Sequence, residues 1–148
     1  MHNSKEFEII FVGNVRKFEE RLLYKAEQEM IKGFPAGWCQ VADNYVRQLT
    51  IIQMNPHPEF NHDTNESHER PPSIKKLNQN IIYNNFYRWG IHGGMTGNHR
   101  IIYAIHNYHK VILLYYFDKK YNGSISRNDI IPAEVTYETY CLHDPNLY

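Results

Sequence analysis

Three basic side chains in this 148-residue chain stand where strand geometry can gather them: Arg100, Lys119 and Lys120. Arg100 opens the run Ile101-Ile102-Tyr103-Ala104-Ile105, and the lysine pair closes the run Val111-Ile112-Leu113-Leu114-Tyr115-Tyr116-Phe117-Asp118. Both runs are rich in β-branched and aromatic residues, and they flank a short polar joint, the pattern of a hairpin. In an antiparallel pair the start of one strand lies beside the end of the next. The spacing therefore predicts Arg100 and the lysines at one end of a sheet, where fixed positive charge suits a phosphate group. Successive strand residues point to opposite faces, so only one of Lys119 and Lys120 can share the side of Arg100.

Metal-independent cleavage of RNA needs a base for the 2′-hydroxyl, cations for the charged phosphorane and an acid for the leaving oxygen. Arg100 is the candidate cation, because its planar fork matches two phosphate oxygens; the plainer alternative is a surface arginine at a strand start. Lys119 and Lys120 can bind phosphate, act as a base with a pKa depressed by neighbouring cations, or simply end a strand. Lys75, Lys76 and Arg88 are candidates for contacts along an RNA backbone, with a solvated surface as the alternative. His99, expected on the opposite side of its strand from Arg100, and His92, in a turn, are candidates for acid or base. A hydrogen-bonded turn histidine is the competing role. Tyr121 can donate a proton or stack on a base, or pack at a sheet edge.

Other chemistries fit less well. His106 and His109 lie close in sequence, as do His57, His62 and His68, but none forms a zinc spacing with cysteine or a His-Glu-x-x-His pattern. Gly90, Gly93, Gly94 and Gly97 form neither GxGxxG nor a Walker loop. No metal and no cofactor are expected, and the glycines read as a hairpin turn.

The elements that must position these residues can be read from periodicity. Glu6 to Val12 reads as a strand ended by Gly13-Asn14, with Asn14 as helix N-cap. Val15, Phe18, Leu22, Ala26 and Met30 fall on one helical face, and Gly33 and Pro35 stop that helix. A second helix is predicted from Gly37 to Gln53, with Trp38, Val41, Ala42, Tyr45, Leu49 and Ile52 inward. The Pro- and His-rich stretch 55–72 reads as a loop. A strand from Ile81 to Ile91, a glycine-rich turn from His92 to Asn98 and the hairpin follow. Beyond these, Ser126 to Ile131 reads as a short helix stopped by Pro132. Alternation from Glu134 to Cys141 suggests one more strand, with a helix as the competing reading. The expected fold is α+β, a single domain over 1–148. It has an antiparallel sheet with two N-terminal helices on one face, in the order β-α-α-β-β-β, and a C-terminal extension from 126.

Composition bounds the function. Hydrophobic residues make up 42% and aromatics 14%, while mean hydropathy is -0.62. No apolar run approaches the ~18 residues of a transmembrane helix, and the first residues lack an apolar leader core. A cytoplasmic protein is expected, with Cys39 and Cys141 as free thiols. Net charge is +0 and the pI about 7.1, which weighs against a dedicated nucleic-acid binder. Charge is nevertheless segregated. Between Arg70 and Lys120 the only acid is Asp118, and after Arg127 come Asp129, Glu134, Glu138 and Asp144 with no lysine or arginine.

The element order and two strand motifs resemble the RelE/ParE superfamily of small toxins from type II toxin–antitoxin systems. Asn98-His99-Arg100-Ile101-Ile102-Tyr103-Ala104-Ile105 is similar to the His-Arg-apolar-apolar-Tyr strand of the YoeB-like branch. Leu113-Leu114-Tyr115-Tyr116-Phe117-Asp118-Lys119-Lys120 resembles a strand of the HigB-like branch, and Ile74-Lys75-Lys76-Leu77 stands where that branch often has a Lys-Leu pair. The resemblance covers about Ile74 to Ile130. It implies a ribosome-dependent mRNA endonuclease that inhibits translation, with ribosome, mRNA and a cognate antitoxin as partners. The alternative it implies is a non-catalytic binding relative, such as a gyrase inhibitor or a protein that docks only on its antitoxin, and no small-molecule ligand is expected. YoeB-like ribonucleases end their last strand in a His-Tyr pair. Here the chain continues Lys119-Lys120-Tyr121, which leaves His99, His92 and Tyr121 to supply acid or base.

Overall fold

The computed structural model describes residues 6–57 and 72–147. Strand β1 (Glu8–Phe11) precedes helices α1 (Val15–Ile31) and α2 (Gly37–Met54). Strands β2 (Ser73–Lys76), β3 (Phe86–His92), β4 (Asn98–His106) and β5 (Lys110–Asp118) follow, then helix α3 (Arg127–Cys141). A 3₁₀ turn at Gly94–Thr96 joins β3 to β4. The strands form one five-stranded sheet in the order β1-β5-β4-β3-β2. Most of the 55–72 loop reading lies outside the described residues.

The fold is α+β, but the sheet is mixed. β2, β3, β4 and β5 pair antiparallel, whereas β1 runs parallel to β5. A parallel neighbour needs a long crossover connection, and α1 with α2 begins that crossover from β1. The sheet also gains β2, since Ser73–Lys76 pairs with Tyr87–Gly90. Lysines suit such an edge strand because they discourage further strand addition. β3 begins at Phe86 rather than Ile81. The preceding residues turn aside because their polar groups bind elsewhere: Asn85 Nδ2 donates to the Ile105 carbonyl and to the Tyr137 hydroxyl.

Pleating divides the sheet into two cores. Val15, Phe18 and Leu22 of α1, with Val41, Tyr45 and Ile52 of α2, pack on Trp89, Ile101, Tyr103, Leu113 and Tyr116. On the other face Ile130, Ala133 and Tyr137 of α3 pack on Phe86, Ile102, Ala104, Ile112 and Leu114. A bulge in the β4–β5 pairing at Ile102/Tyr103 leaves Leu114 and Tyr115 both on the α3 side. Each large side chain so buried contributes about 1.5–3 kcal/mol.

The C-terminal segment is one helix, neither a short helix stopped at Pro132 nor a strand. Its buried residues Ile130, Ala133, Glu134 and Tyr137 recur at helical spacing. Pro132 lies inside it, where the missing N–H removes one hydrogen bond near the N-terminal end. Asn14 is likewise not a side-chain cap. Its amide pairs instead with the backbone of Tyr116, accepting from N–H at 2.7 Å and donating to the carbonyl at 2.9 Å. No described helix is long and apolar enough to cross a membrane, and Cys39 and Cys141 are free thiols.

The α1–α2 corner supplies its own cap. α2 has no side-chain cap at Ala36. The Glu29 carboxylate of α1 instead accepts the backbone N–H groups of Ala36, Trp38 and Cys39 at 2.9–3.0 Å. Desolvation alone would raise its pKa, but those donors prevail and hold it at about 2, below the ordinary 4.5. A carboxyl with a depressed folded pKa stabilises above its unfolded pKa and loses that contribution as pH falls through the folded value. Glu29→Gln should therefore unfold at lower urea concentration than the parent at pH 7. The gap should close between pH 4.5 and about pH 2; a gap constant with pH would contradict this account. At the tip of the β4–β5 hairpin, Asn107 (φ 51) and Tyr108 (φ 63) are both left-handed, as a type I′ turn demands. Tyr108→Gly should stabilise the protein by about 1 kcal/mol in urea unfolding.

Candidate functional site

The basic residues meet where β4 begins and β5 ends. Alternation along β4 sends His99, Ile101 and Tyr103 toward α1 and α2, and Asn98, Arg100 and Ile102 toward the α3 face. Arg100 stands between Gly90 of β3 and Phe117 of β5. A Cβ on Gly90 would lie 3.1 Å from Nη1 and 3.3 Å from Cζ of Arg100, so the guanidinium rests on bare backbone. Arg100 is only 8% exposed. Its Nη1 donates to Asn98 Oδ1 at 2.7 Å and to the His99 carbonyl at 3.0 Å. Its Nε is buried and finds no acceptor among the described residues.

Arg88 lies on the same face, paired in register with Lys75 of β2 and Ile102 of β4. Its Nη2 donates to Ser73 Oγ at 3.1 Å, and its buried Nε also lacks an acceptor among the described residues. Lys119 follows β5 on this side. Its N–H donates to the Asn98 carbonyl at 2.8 Å, and its Nζ donates to the Tyr121 carbonyl at 2.9 Å. Asn98 Nδ2 donates back to the Lys119 carbonyl at 3.3 Å, so one asparagine ties both Arg100 and Lys119.

Among the described residues no carboxylate forms an ion pair with Lys75, Lys76, Arg88, Arg100 or Lys119. The pKa values register this. That of Lys119 is lowered by desolvation and then by the charges of Arg100 and Arg88. That of Arg88 is lowered by burial and then by Arg100, and that of Arg100 by burial. Guanidinium groups keep their proton regardless, so two fixed charges stand behind one adjustable ammonium.

Beside them is a cleft of about 310 Å³. Lys75, Lys76, Arg88 and Lys119 supply its charge, Asn78, Gln79 and Ser124 its neutral polar groups, and Leu77, Ile125 and Ile130 its apolar wall. Arg100 does not line the cleft. It is a buried charge next to the lining cations, where the sequence left open a phosphate contact or a surface arginine.

The remaining candidates separate. His99 is 2% exposed on the opposite face, hydrogen-bonded to Thr96 Oγ1 at 3.0 Å and to the Tyr116 hydroxyl at 2.7 Å. Rings of Phe18 and Trp38 pack against it, and burial pulls its pKa below the ordinary value. It cannot serve a group bound beside Lys119. Lys120 is exposed, with no hydrogen bond or ion pair to any described residue. His92 is exposed and pairs with Asn98, on the Arg100 side beyond the cleft lining. The Tyr121 hydroxyl accepts the Ser126 N–H at 3.0 Å and donates to the Asp129 carboxylate, which commits it to the start of α3.

Asn98, Asn78 and Gln79 carry no site motif in the sequence, and Gly90, read there as part of a hairpin turn, lies within β3. Asn98 stands two residues before Arg100 and so on its face, a signal that strand periodicity carries. Gly90 shows its role only through the cross-strand register. Among the described residues no group of three or more His, Cys, Asp or Glu side chains is placed to hold a metal ion. At the other end of β4, His106 contacts the Tyr137 hydroxyl at 2.7 Å, and Asp144 receives Lys110 and Tyr140. His106 and Tyr137 are both fully buried. This network fastens the tail to the sheet. No family model matches the chain, and neither does any curated protein or solved structure.

Asn98→Asp keeps the acceptor for Arg100 and adds a negative charge, while giving up the Nδ2 bond to the Lys119 carbonyl and standing beside the Asp118 carboxylate. Relative to the parent, its stability in urea unfolding should fall as salt is added, because salt screens the new ion pair. A difference from the parent that does not change with salt would contradict the assignment of Arg100 as an uncompensated charge.

Proposed function

We propose that this chain is an RNA-acting protein of the RelE/ParE type, an mRNA endonuclease toxin that receives a backbone phosphate in the cleft beside Lys119. The observation that carries the reading is the set Arg88, Arg100 and Lys119 on one sheet face with no ion-pairing carboxylate among the described residues. A bound phosphate supplies the missing negative charge. Arg88, whose buried Nε lacks an acceptor among the described residues, and Lys119 contact the phosphate, while Arg100 holds a positive field behind them.

Lys119 is the residue suited to act as base, because desolvation and two neighbouring guanidinium groups favour its neutral form. In that role Nζ takes the proton of the 2′-hydroxyl and the 2′-oxygen attacks phosphorus. The bond to the 5′-oxygen breaks, leaving a 2′,3′-cyclic phosphate, and the departing oxygen takes a proton from water. The cations stabilise the extra charge of the phosphorane.

A second reading, a non-catalytic relative that docks on RNA or on a protein such as gyrase, is favoured by one observation. Among the described residues no imidazole lines the cleft, and the His99 ring is enclosed on the opposite face. Purified protein should therefore be assayed with mRNA and ribosomes by primer extension, beside a gyrase supercoiling assay. Cleavage should rise with pH as Lys119 deprotonates and level off below the ordinary lysine value of 10.5. Lys119→Ala should abolish that rise, and Arg88→Ala should lower the rate by about tenfold to a hundredfold. Asn98→Asp should weaken RNA binding about tenfold by neutralising Arg100. Wild-type protein that binds RNA but cuts none, or that inhibits supercoiling by gyrase, supports the second reading; protein with neither salt-dependent RNA affinity nor an effect on gyrase overturns both.

A further inference from the structure

We infer that the cleft takes one unpaired nucleotide, with its phosphate on Arg88 and Lys119, its base against Leu77 and Ile125, and the base edge met by the amides of Asn78 and Gln79. This rests on the phosphate reading above and adds a base-recognition subsite to it. The first support is size. A cleft of about 310 Å³ lies at the small end of ligand pockets, roughly 300–1,000 Å³, with room for one nucleotide and none for a duplex.

The second is the order of its walls. Charge sits on the strands, apolar surface on Leu77 and Ile125, and neutral amides on the segment between β2 and β3. Asn78 makes no hydrogen bond to a described residue, and Gln79 accepts only a 3.3 Å bond from Ser124 Oγ. Each amide thus keeps donors and acceptors for a ligand. Asn and Gln amides are suited to the paired donor–acceptor edge of a nucleobase.

The third is rigidity. The Leu77 N–H donates to the Phe86 carbonyl at 2.9 Å. Arg127 of α3 donates to the Asn80 carbonyl at 2.7 Å while paired with Glu134. Glu134 in turn accepts the Ile82 N–H at 2.9 Å. The backbone of the amide-bearing segment is therefore clamped to the sheet at one end and to α3 at the other, so only the Asn78 and Gln79 side chains have to be ordered on binding.

Titration calorimetry at low salt tests this with inorganic phosphate, ribose 5-phosphate, the four nucleoside 5′-monophosphates and single-stranded trinucleotides. At least one nucleotide should bind about tenfold more tightly than ribose 5-phosphate, with a ranking among bases. Asn78→Ala and Gln79→Ala should flatten that ranking while leaving the affinity for inorganic phosphate unchanged. Arg88→Ala should weaken every ligand. A trinucleotide at least as tight as its mononucleotide supports an RNA strand as the source, and a weaker one supports a free nucleotide. Nucleotides no tighter than ribose 5-phosphate, or amide variants with an unchanged ranking, overturn the subsite while phosphate binding stands. No affinity for any of these ligands overturns the phosphate reading itself.

Discussion

Arg100 is a positive charge set into the sheet with no ion-pairing carboxylate among the described residues. Burying a charge costs several kcal/mol unless it is paired or well hydrogen-bonded. Here two neutral acceptors, the Asn98 amide and the His99 carbonyl, hold Nη1, and Gly90 gives the guanidinium a flat bed. Some other cations are paired, as in Arg47 with Asp43, Lys110 with Asp144 and Arg127 with Glu134. A net charge of +0 therefore conceals a cation cluster with no ion-pairing carboxylate among the described residues. Asparagine at position 98 is the choice that keeps it so, since it orients the guanidinium without neutralising it.

That local arrangement depends on the two-faced sheet. The pleat separates Arg100 from His99 and gives each a different core. Asp118, the carboxylate nearest in sequence to Lys119, is occupied in accepting the Asn98 N–H at 2.8 Å. α1 and α2 seal the face that holds His99, and α3 seals most of the other. The stretch between β5 and α3 borders the remaining end, where the cleft forms. Tyr121 links the two: its ring lies 4.8 Å from Lys119 Nζ and its hydroxyl braces the first turn of α3. Cation cluster and helix start are thus built from the same short segment.

The chemistry available in the cleft follows from what the fold excludes. With the His99 ring enclosed among Phe18, Trp38 and Tyr116 and the Tyr121 hydroxyl engaged with Asp129, proton transfer in the proposed reaction is assigned to lysine. Cations that crowd one another lower the cost of a neutral amine, so the crowding on which the proposed phosphate site rests also favours the neutral form of Lys119. The proposed assignment to RelE/ParE-type toxins and the proposed nucleotide subsite both draw on this one field.

The sequence by itself determined the local elements. Apolar spacing marked α1 and α2, runs of β-branched and aromatic residues marked β4 and β5, and strand alternation already required that Lys119 and Lys120 diverge. These are short-range properties, set by the 3.6- and 2-residue periods of helix and strand. Tertiary structure decided the rest. β1 joined β5 in parallel because a crossover, which no local pattern encodes, carries the chain away between them. The segment from Glu134 to Cys141 became helix because Ile130, Ala133 and Tyr137 had a sheet face to cover, which outweighed its alternation and the break implied by Pro132. Arg100 passed from surface ligand to buried charge because Gly90, ten residues away, lies across from it in register and has no side chain to keep the guanidinium out.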